Sequence, residues 1–234
     1  MLGKRNAVTD KNPDTTKYLP HSWGRIAVFT AVPLGILVSS LNMTVLSTAL
    51  PRIAADLKGL QYYPWVFTSY LVTAAAFMPI FGKLSDMYGR KPFFMGGIAV
   101  LVVGSILAGT SQSILQLAIY RGFQGIGAGA LIPVSIAIVG DLFPPAEQGK
   151  WRAFTQGIFT IASILGPLIG GLTTDYLSWR WFFFLNVPVG LLALVVTAIV
   201  MPSFRPNQRQ HKVDYLGAAV LLLTVAPILL GFSW

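Results

Sequence analysis

The chain contains no cysteine, which excludes disulfides, thiolate metal sites and cysteine nucleophiles while leaving the redox compartment open. Charge is nearly as scarce: 11% of the 234 residues are Asp, Glu, Lys or Arg, against roughly a quarter in an ordinary soluble domain. Histidine occurs twice, as His21 and His211, both in polar stretches where a solvated ring is the ordinary expectation. No nucleophile–base pair, metal-spaced cluster or phosphate loop is legible, so neither enzymatic catalysis nor a cofactor is expected. No small-residue cleavage site follows a short apolar core near the N-terminus. A cleaved signal peptide is therefore not expected, and the first apolar run reads as its own insertion signal.

Hydrophobic residues make up 54% of the chain, and the mean hydropathy is +0.66. Crossing about 30 Å of hydrocarbon takes roughly 20 apolar residues at a rise of about 1.5 Å each. Seven runs qualify, at about 26–50, 64–82, 93–110, 114–139, 153–173, 181–201 and 215–233. The fold class is thus an all-α polytopic membrane protein, with the lipid bilayer as a partner. Thirteen cations (Lys4, Arg5, Lys11, Lys17, Arg25, Lys83, Arg90, Lys91, Lys150, Arg152, Arg205, Arg209, Lys212) fall in the N-terminal tail or in loops on the same side. Three (Arg52, Lys58, Arg180) fall on the other side. The positive-inside rule then predicts a multi-pass protein of the cell membrane with a cytoplasmic N-terminus. The net charge of +9 is spread over short loops without a contiguous basic stripe, so no nucleic-acid partner is expected.

All eight acidic residues lie in the tail, in loops or at span ends. Arg121 is the one charge placed well inside a span, where a cation costs on the order of 2.5 to 3.5 kcal/mol. It lies about seven residues, or roughly 10 Å, in from Ile114, close enough to the end to snorkel in part; otherwise an ionisable group at such depth signals function. Counted the same way, Asn42 and Tyr70 reach a comparable depth. If these helices line one cavity, Asn42, Tyr70, Arg121 and Gln124 form a polar belt within it. Asn42 can accept a hydrogen bond from Arg121, but neither an amide nor an arginine titrates in the accessible range.

The loop "FGKLSDMYGRKP" holds Gly82, Asp86, Gly89, Arg90 and Lys91. Asp86 and Arg90 are four apart and can pair, Gly89 can supply a positive φ for a tight hairpin, and Gly82 would allow a close backbone approach. Asp141, at the end of the fourth span, can pair with Arg90 or Lys91. The "GIGAG" at 125–129 lacks the preceding strand a dinucleotide loop needs; Gly125 and Gly129 read instead as a helix-contact stripe. In the fifth span Ala162, Gly166 and Gly170 make a smooth small-residue face, and Pro167 removes a backbone hydrogen bond and is expected to bend the helix.

That loop resembles the signature between the second and third helices of the major facilitator superfamily of transporters. "LNMTVLSTALPRIAADL", "YRGFQGIGAGALIP", "GIFTIASILGPLIGG", "SWRWFFFLNVPVG" and "VDYLGAAVLLL" follow in the order of further signatures, most similar to the branch of drug/proton antiporters with 14 helices. The resemblance implies an N-terminal six-helix bundle (26–201) after a cytoplasmic tail (1–25), then a cytoplasmic linker (202–214) and a seventh helix (215–234), with the chain appearing truncated. It implies proton-driven export of drugs or other amphiphilic small molecules, the substrate and protons being partners. Arg121 and Asn42 would serve coupling, while Asn42, Tyr70 and Gln124 would line the substrate cavity. Gly82, Asp86, Gly89, Arg90, Lys91 and Asp141 would form a cytoplasmic gate, and Gly157, Gly166, Pro167, Gly170 and Gly171 the antiporter helix. Many members of that branch carry an acid where Asn42 stands, so the counter-charge for Arg121 is left to an anionic substrate, to water and chloride, or to a carboxylate in a second half. A second half or a homo-oligomer is a possible partner. A facilitator or importer of the same fold, or a non-transporting fragment or subunit, remains the alternative.

Overall fold

The computed structural model describes residues 21–201, together with positions 220, 224 and 227. Apart from those three positions, the predicted seventh helix and the 202–214 linker lie outside the described residues, as does the tail up to residue 20.

Among the described residues there are six long helices: α1 (His21–Asp56), α2 (Tyr63–Tyr88), α3 (Arg90–Gly109), α4 (Ile114–Leu142), α5 (Pro145–Tyr176) and α6 (Arg180–Val200). All six are long and apolar enough to cross a membrane, and short connectors make neighbours antiparallel. We call the end holding Arg90 and Asp141 the basic end and the other the far end. The first six of the seven expected spans are present among the described residues, but α1 is longer at both ends. It begins at His21 rather than 26 and runs past the expected stop at Pro51, which sits inside the helix. Proline removes one ladder bond there, yet Ile53 and Ala54 in the next turn are fully buried, and their packing keeps the chain helical.

Local signals mark several other boundaries. Pro64 stands in the first turn of α2 and Pro145 opens α5, where a missing N–H goes unused. Ser113 caps α4 by accepting from the Gln116 N–H at 3.2 Å. Gly89, with φ of 104°, turns α2 into α3 as its sequence position predicted, in a conformation other residues rarely adopt.

The packing follows an internal repeat. α4 packs on α2 and α3, α1 packs on α5 and α6, and α3 meets α6 and α1 meets α4. Exchanging α1–α3 with α4–α6 leaves that pattern unchanged, and because each unit has three helices the second runs in the opposite sense: an inverted repeat. Two apolar clusters fill the interior. One, toward the basic end, includes Val38, Leu101 and Ala128; the other, toward the far end, includes Val45, Ala108 and Leu117. Along α1, α3 and α4 the two clusters bracket Asn42, Ser105 and Arg121 through Gln124, so the polar residues occupy a layer between them.

Candidate functional site

Arg121 and Gln124 are three residues apart on α4 and so share a face. Arg121 Nη1 donates to Gln124 Oε1 at 2.8 Å. Gln124 Nε2 in turn donates to Asn42 Oδ1 of α1 at 3.2 Å and to Ser105 Oγ of α3 at 2.8 Å. Asn42 Nδ2 donates back to the Val38 carbonyl at 3.1 Å. The Tyr70 ring of α2 lies 4.2 Å from the centre of the guanidinium, and its hydroxyl reaches Ser39 of α1 at 3.4 Å. Four helices thus converge on the Arg121–Gln124 pair.

Two expectations change here. Asn42 does not meet Arg121 directly; Gln124 stands between them and relays the contact. Nor do the four residues line an open cavity: Asn42, Arg121 and Gln124 are 0% exposed and Tyr70 is 3% exposed. Small residues close the layer. A Cβ on Gly104 would strike the Gln124 side chain, and one on Gly125 would strike Thr73 and the Tyr70 carbonyl. Ser69 and Thr73 then donate across to the carbonyls of Ala118 and Gly122, both at 2.8 Å, as small hydroxyl residues do between membrane helices.

The electrostatics of the layer are one-sided. Nε and Nη2 of Arg121 have no hydrogen-bond partner among the described residues, and no carboxylate there forms a salt bridge with it. The cation is met by a neutral amide and the face of an aromatic ring. A cation–π contact away from water contributes about 2 kcal/mol and a hydrogen bond to a charged group about 1.5 to 3 kcal/mol. These offset part of the cost of burying the cation, while the two unpartnered donors add to it, so the charge is held without being neutralised.

At the basic end, Arg90 joins three helices. Its Nε donates to Asp141 Oδ2 of α4 at 2.8 Å. Nη1 pairs with Asp86 and donates to Ser85 Oγ at 2.9 Å, both on α2. Arg90, rather than Lys91, is the partner of Asp141. Lys91 Nζ donates instead to the Ala198 carbonyl near the end of α6, at 2.6 Å. Gly82 does not mark the expected close backbone approach: a Cβ there would meet Pro133 Cβ at 3.6 Å, an ordinary contact. Ser85, unnoticed in the sequence, links this cluster by donating to the Gly82 carbonyl at 2.7 Å.

The small-residue face of α5 packs on α1 as its spacing predicted. Gly166 lies against Thr44 and Gly170 against Thr48 and Val45, and Thr44 Oγ1 donates to the Ala162 carbonyl at 3.2 Å. Gly157 and Gly171 differ: nothing lies within 4 Å of a Cβ on either, so they are not part of that contact. Pro167 sits within a continuous α5 on its exposed side.

Ser39, Ser105 and Gly104 also escaped the sequence reading. Ser105 carried one signal, as a lone polar residue in the apolar run "AVLVVGSILAG".

Six apolar helices sealed around a polar layer define a class, the polytopic α-helical membrane proteins. Residues 33–233 match the Major Facilitator Superfamily, and the chain belongs to that family, whose members are transporters rather than enzymes. It is 42% identical over 202 residues to Multidrug resistance protein 3 of Bacillus subtilis, covering 86% of this chain and 39% of that protein. With the Multidrug transporter protein MdtP of the same organism it shares 34% identity over 210 residues, covering 90% and 39%. The chain therefore spans about two fifths of the length of these curated relatives. Among solved structures, the proton:xylose symporter XylE superposes with a TM-score of 0.70 at 16% identity, covering 88% of this chain and 51% of that one. The human organic anion transporter MFSD10 superposes with a TM-score of 0.68 at 22% identity, covering 87% and 54%. Both share the fold.

Proposed function

We propose that the chain forms the N-terminal bundle of a proton-driven exporter of drugs or other amphiphilic small molecules in the cytoplasmic membrane, with its basic end in the cytoplasm. The observation that carries this reading is the state of Arg121. It is fully buried, held by neutral groups, and unmatched by any carboxylate among the described residues. A cation held in this way favours any carboxylate brought close and deprotonated, so protonation elsewhere and occupancy of the layer become coupled. The acid belongs to a second bundle, supplied by the same protein or by a second copy, and the two bundles alternate access by rocking. Gln124 and Asn42 then form polar contacts to substrate or water when the layer opens. The names of the bacterial relatives support the substrate class.

The gate residues take a specific role in this reading. Arg90, Asp141 and Ser85 belong to one bundle, so rigid rocking leaves their contacts intact. Asp86 also pairs with Arg90 inside the bundle, but it and Asp141 keep 51% and 44% of their side chains exposed. Of the two, Asp86, at the end of α2, is the one this reading assigns to reach the second bundle at the cytoplasmic face.

The test is dye efflux from energised cells expressing the chain within its full reading frame, beside empty-vector cells. Efflux should collapse with a protonophore. It should also fall about tenfold or more in Arg121→Ala at equal membrane level, the scale expected when an interaction central to coupling is lost. Efflux that survives the protonophore overturns proton coupling, and an unchanged Arg121→Ala overturns the role of the arginine.

A further inference from the structure

The far end carries a set of contacts that the transport reading does not use. Trp179, 2% exposed, donates its Nε1–H to Asp56 Oδ2 at the end of α1, at 3.0 Å. Arg180, the first residue of α6, lies with its guanidinium 4.3 Å from the Trp179 ring. Its Nη2 donates to the carbonyl of Ser111, just beyond α3, at 3.0 Å. Nearby, a Cβ on Gly109 would sit 2.9 Å from the Phe184 ring, so the ends of α3 and α6 are in close contact.

Under the inverted repeat, Asp56 and Arg180 have counterparts at the basic end, whereas Trp179 falls where Gly89 stands and is particular to the far end. Asp56 ends α1 as Asp141 ends α4. Arg180 opens α6 as Arg90 opens α3. The cation at the start of α6 donates to a carbonyl at the end of α3, as Lys91 at the start of α3 donates to the Ala198 carbonyl near the end of α6. Cations placed against helix C-termini are favoured by both the free carbonyls and the helix dipole. The pairing is therefore reciprocal across the antiparallel α3/α6 contact, and each end of the bundle has a carboxylate from the first helix of one repeat holding the first turn of the third helix of the other.

We propose that Asp56, Trp179, Arg180 and the Ser111 carbonyl form a far-end interlock, the repeat-related counterpart of the basic-end cluster. Its role is to hold α1, α3 and α6 in register, so that Asn42 on α1 and Ser105 on α3 stay against Gln124. Trp179 and Arg180 are positioning residues; neither touches the polar layer. Trp179 also covers the far-end apolar cluster that includes Ala108 and Leu117, so loosening the interlock should open that cluster first. This inference rests on contacts within the bundle and needs neither the proposed substrate nor the proposed driving force.

The absence of cysteine permits a clean test on the chain in nanodiscs. A thiol is introduced by Ala108→Cys in the far-end cluster or, separately, by Ala193→Cys in the basic-end cluster; both alanines are 0% exposed. The readout is the rate of modification by a membrane-impermeant maleimide. Trp179→Phe keeps an aromatic ring but removes the N–H together with the smaller ring of the indole, so Asp56→Ala, which leaves the indole in place, is the cleaner arm. Each should speed labelling at Ala108→Cys about tenfold, as expected for local opening after loss of a hydrogen bond to a charged group. The rate at Ala193→Cys should stay within about twofold, a change too small to signal opening of the whole bundle. Asp56→Ala should match Trp179→Phe, and the double variant should add little, because both remove one contact. Asp56→Asn, whose amide oxygen still accepts, should keep labelling slow. Unchanged labelling at Ala108→Cys, additive single effects, or equal acceleration at Ala193→Cys would each overturn the interlock; the last would mark a general loss of stability.

Discussion

Gln124 is the residue on which the polar layer turns. It accepts from Arg121 and donates to both Asn42 and Ser105, so its one amide ties α1 and α3 to α4 by hydrogen bonds. Replacing it with leucine of similar size leaves a guanidinium, an amide and a hydroxyl without their partner in a dry layer. Each unsatisfied buried group costs about 1 to 3 kcal/mol, so Gln124→Leu should lower the thermal midpoint of the purified chain by many degrees. Gln124→Glu keeps the acceptor and adds a charge that neutralises Arg121, while the Ser105 hydroxyl can turn to donate; its midpoint should fall much less. Thermal unfolding in detergent separates the two, and equal midpoints would mean that Gln124 does not organise the layer. The sequence displayed Arg121 because a charge in an apolar run is conspicuous. It did not display the relay, because whether an amide at 42 meets position 121 or 124 depends on how α1 rotates against α4, and span boundaries leave that rotation free.

At the scale of the helix, α5 sorts its glycines by what they face. Gly166 and Gly170 lie against α1, and Gly157 and Gly171 face open space. A methyl on Gly166 collides with Thr44, so Gly166→Ala should push α5 from α1 and break the Thr44 bond to the Ala162 carbonyl. Overpacking of this kind typically costs about 1 to 3 kcal/mol. Gly157→Ala and Gly171→Ala should instead be neutral or stabilising by up to about 1 kcal/mol, since alanine is the better helix former. Chemical denaturation of the three variants in matched micelles is the check, and a destabilised Gly171→Ala would show that the face is drawn wrongly. Spacing at every fourth residue made the 162–166–170 stripe legible in advance. Membership in a signature made 157 and 171 look equivalent to it, although 157 is nine residues and 171 five residues from Gly166, off the stripe. The extent of α1 was hidden for a related reason: proline is a local stop signal, and the burial of Ile53 and Ala54 that overrides it comes from other helices.

For the whole bundle, the inverted repeat decides which charges are internal and which face outward. Six spans, their order and the acid–base pairing of the second loop were readable from hydropathy and spacing alone. The convergence of Arg90 with Asp141, 51 positions away, was readable only as one of two pairings, because Arg90 and Lys91 differ in direction by about 100° around the helix and the loop sequence does not fix which of the two faces α4. The structure sends Arg90 to α4 and Lys91 to α6, so the two cations hold separate helices. Arg90 has 11% of its side chain exposed while Asp86 has 51%, and that difference separates a fold role from a transport role. Arg90→Ala removes the partner of Asp141, Asp86 and Ser85 together and should lower stability by about 1 to 2 kcal/mol, the sum of two half-exposed pairs at up to about 1 kcal/mol each. Asp86→Asn removes one arm of a half-exposed pair, which contributes about 0 to 1 kcal/mol, so the thermal midpoint should scarcely move. If Asp86 reaches across to a second bundle, its charge sets the balance between transport states, and Asp86→Asn should slow turnover severalfold with substrate affinity unchanged. Asp86→Glu, which restores the charge, should recover part of the rate. Efflux kinetics alongside equilibrium dye binding provide the comparison. Normal turnover in Asp86→Asn removes Asp86 from the mechanism, and a fall in turnover matched by a fall in stability assigns it to the fold.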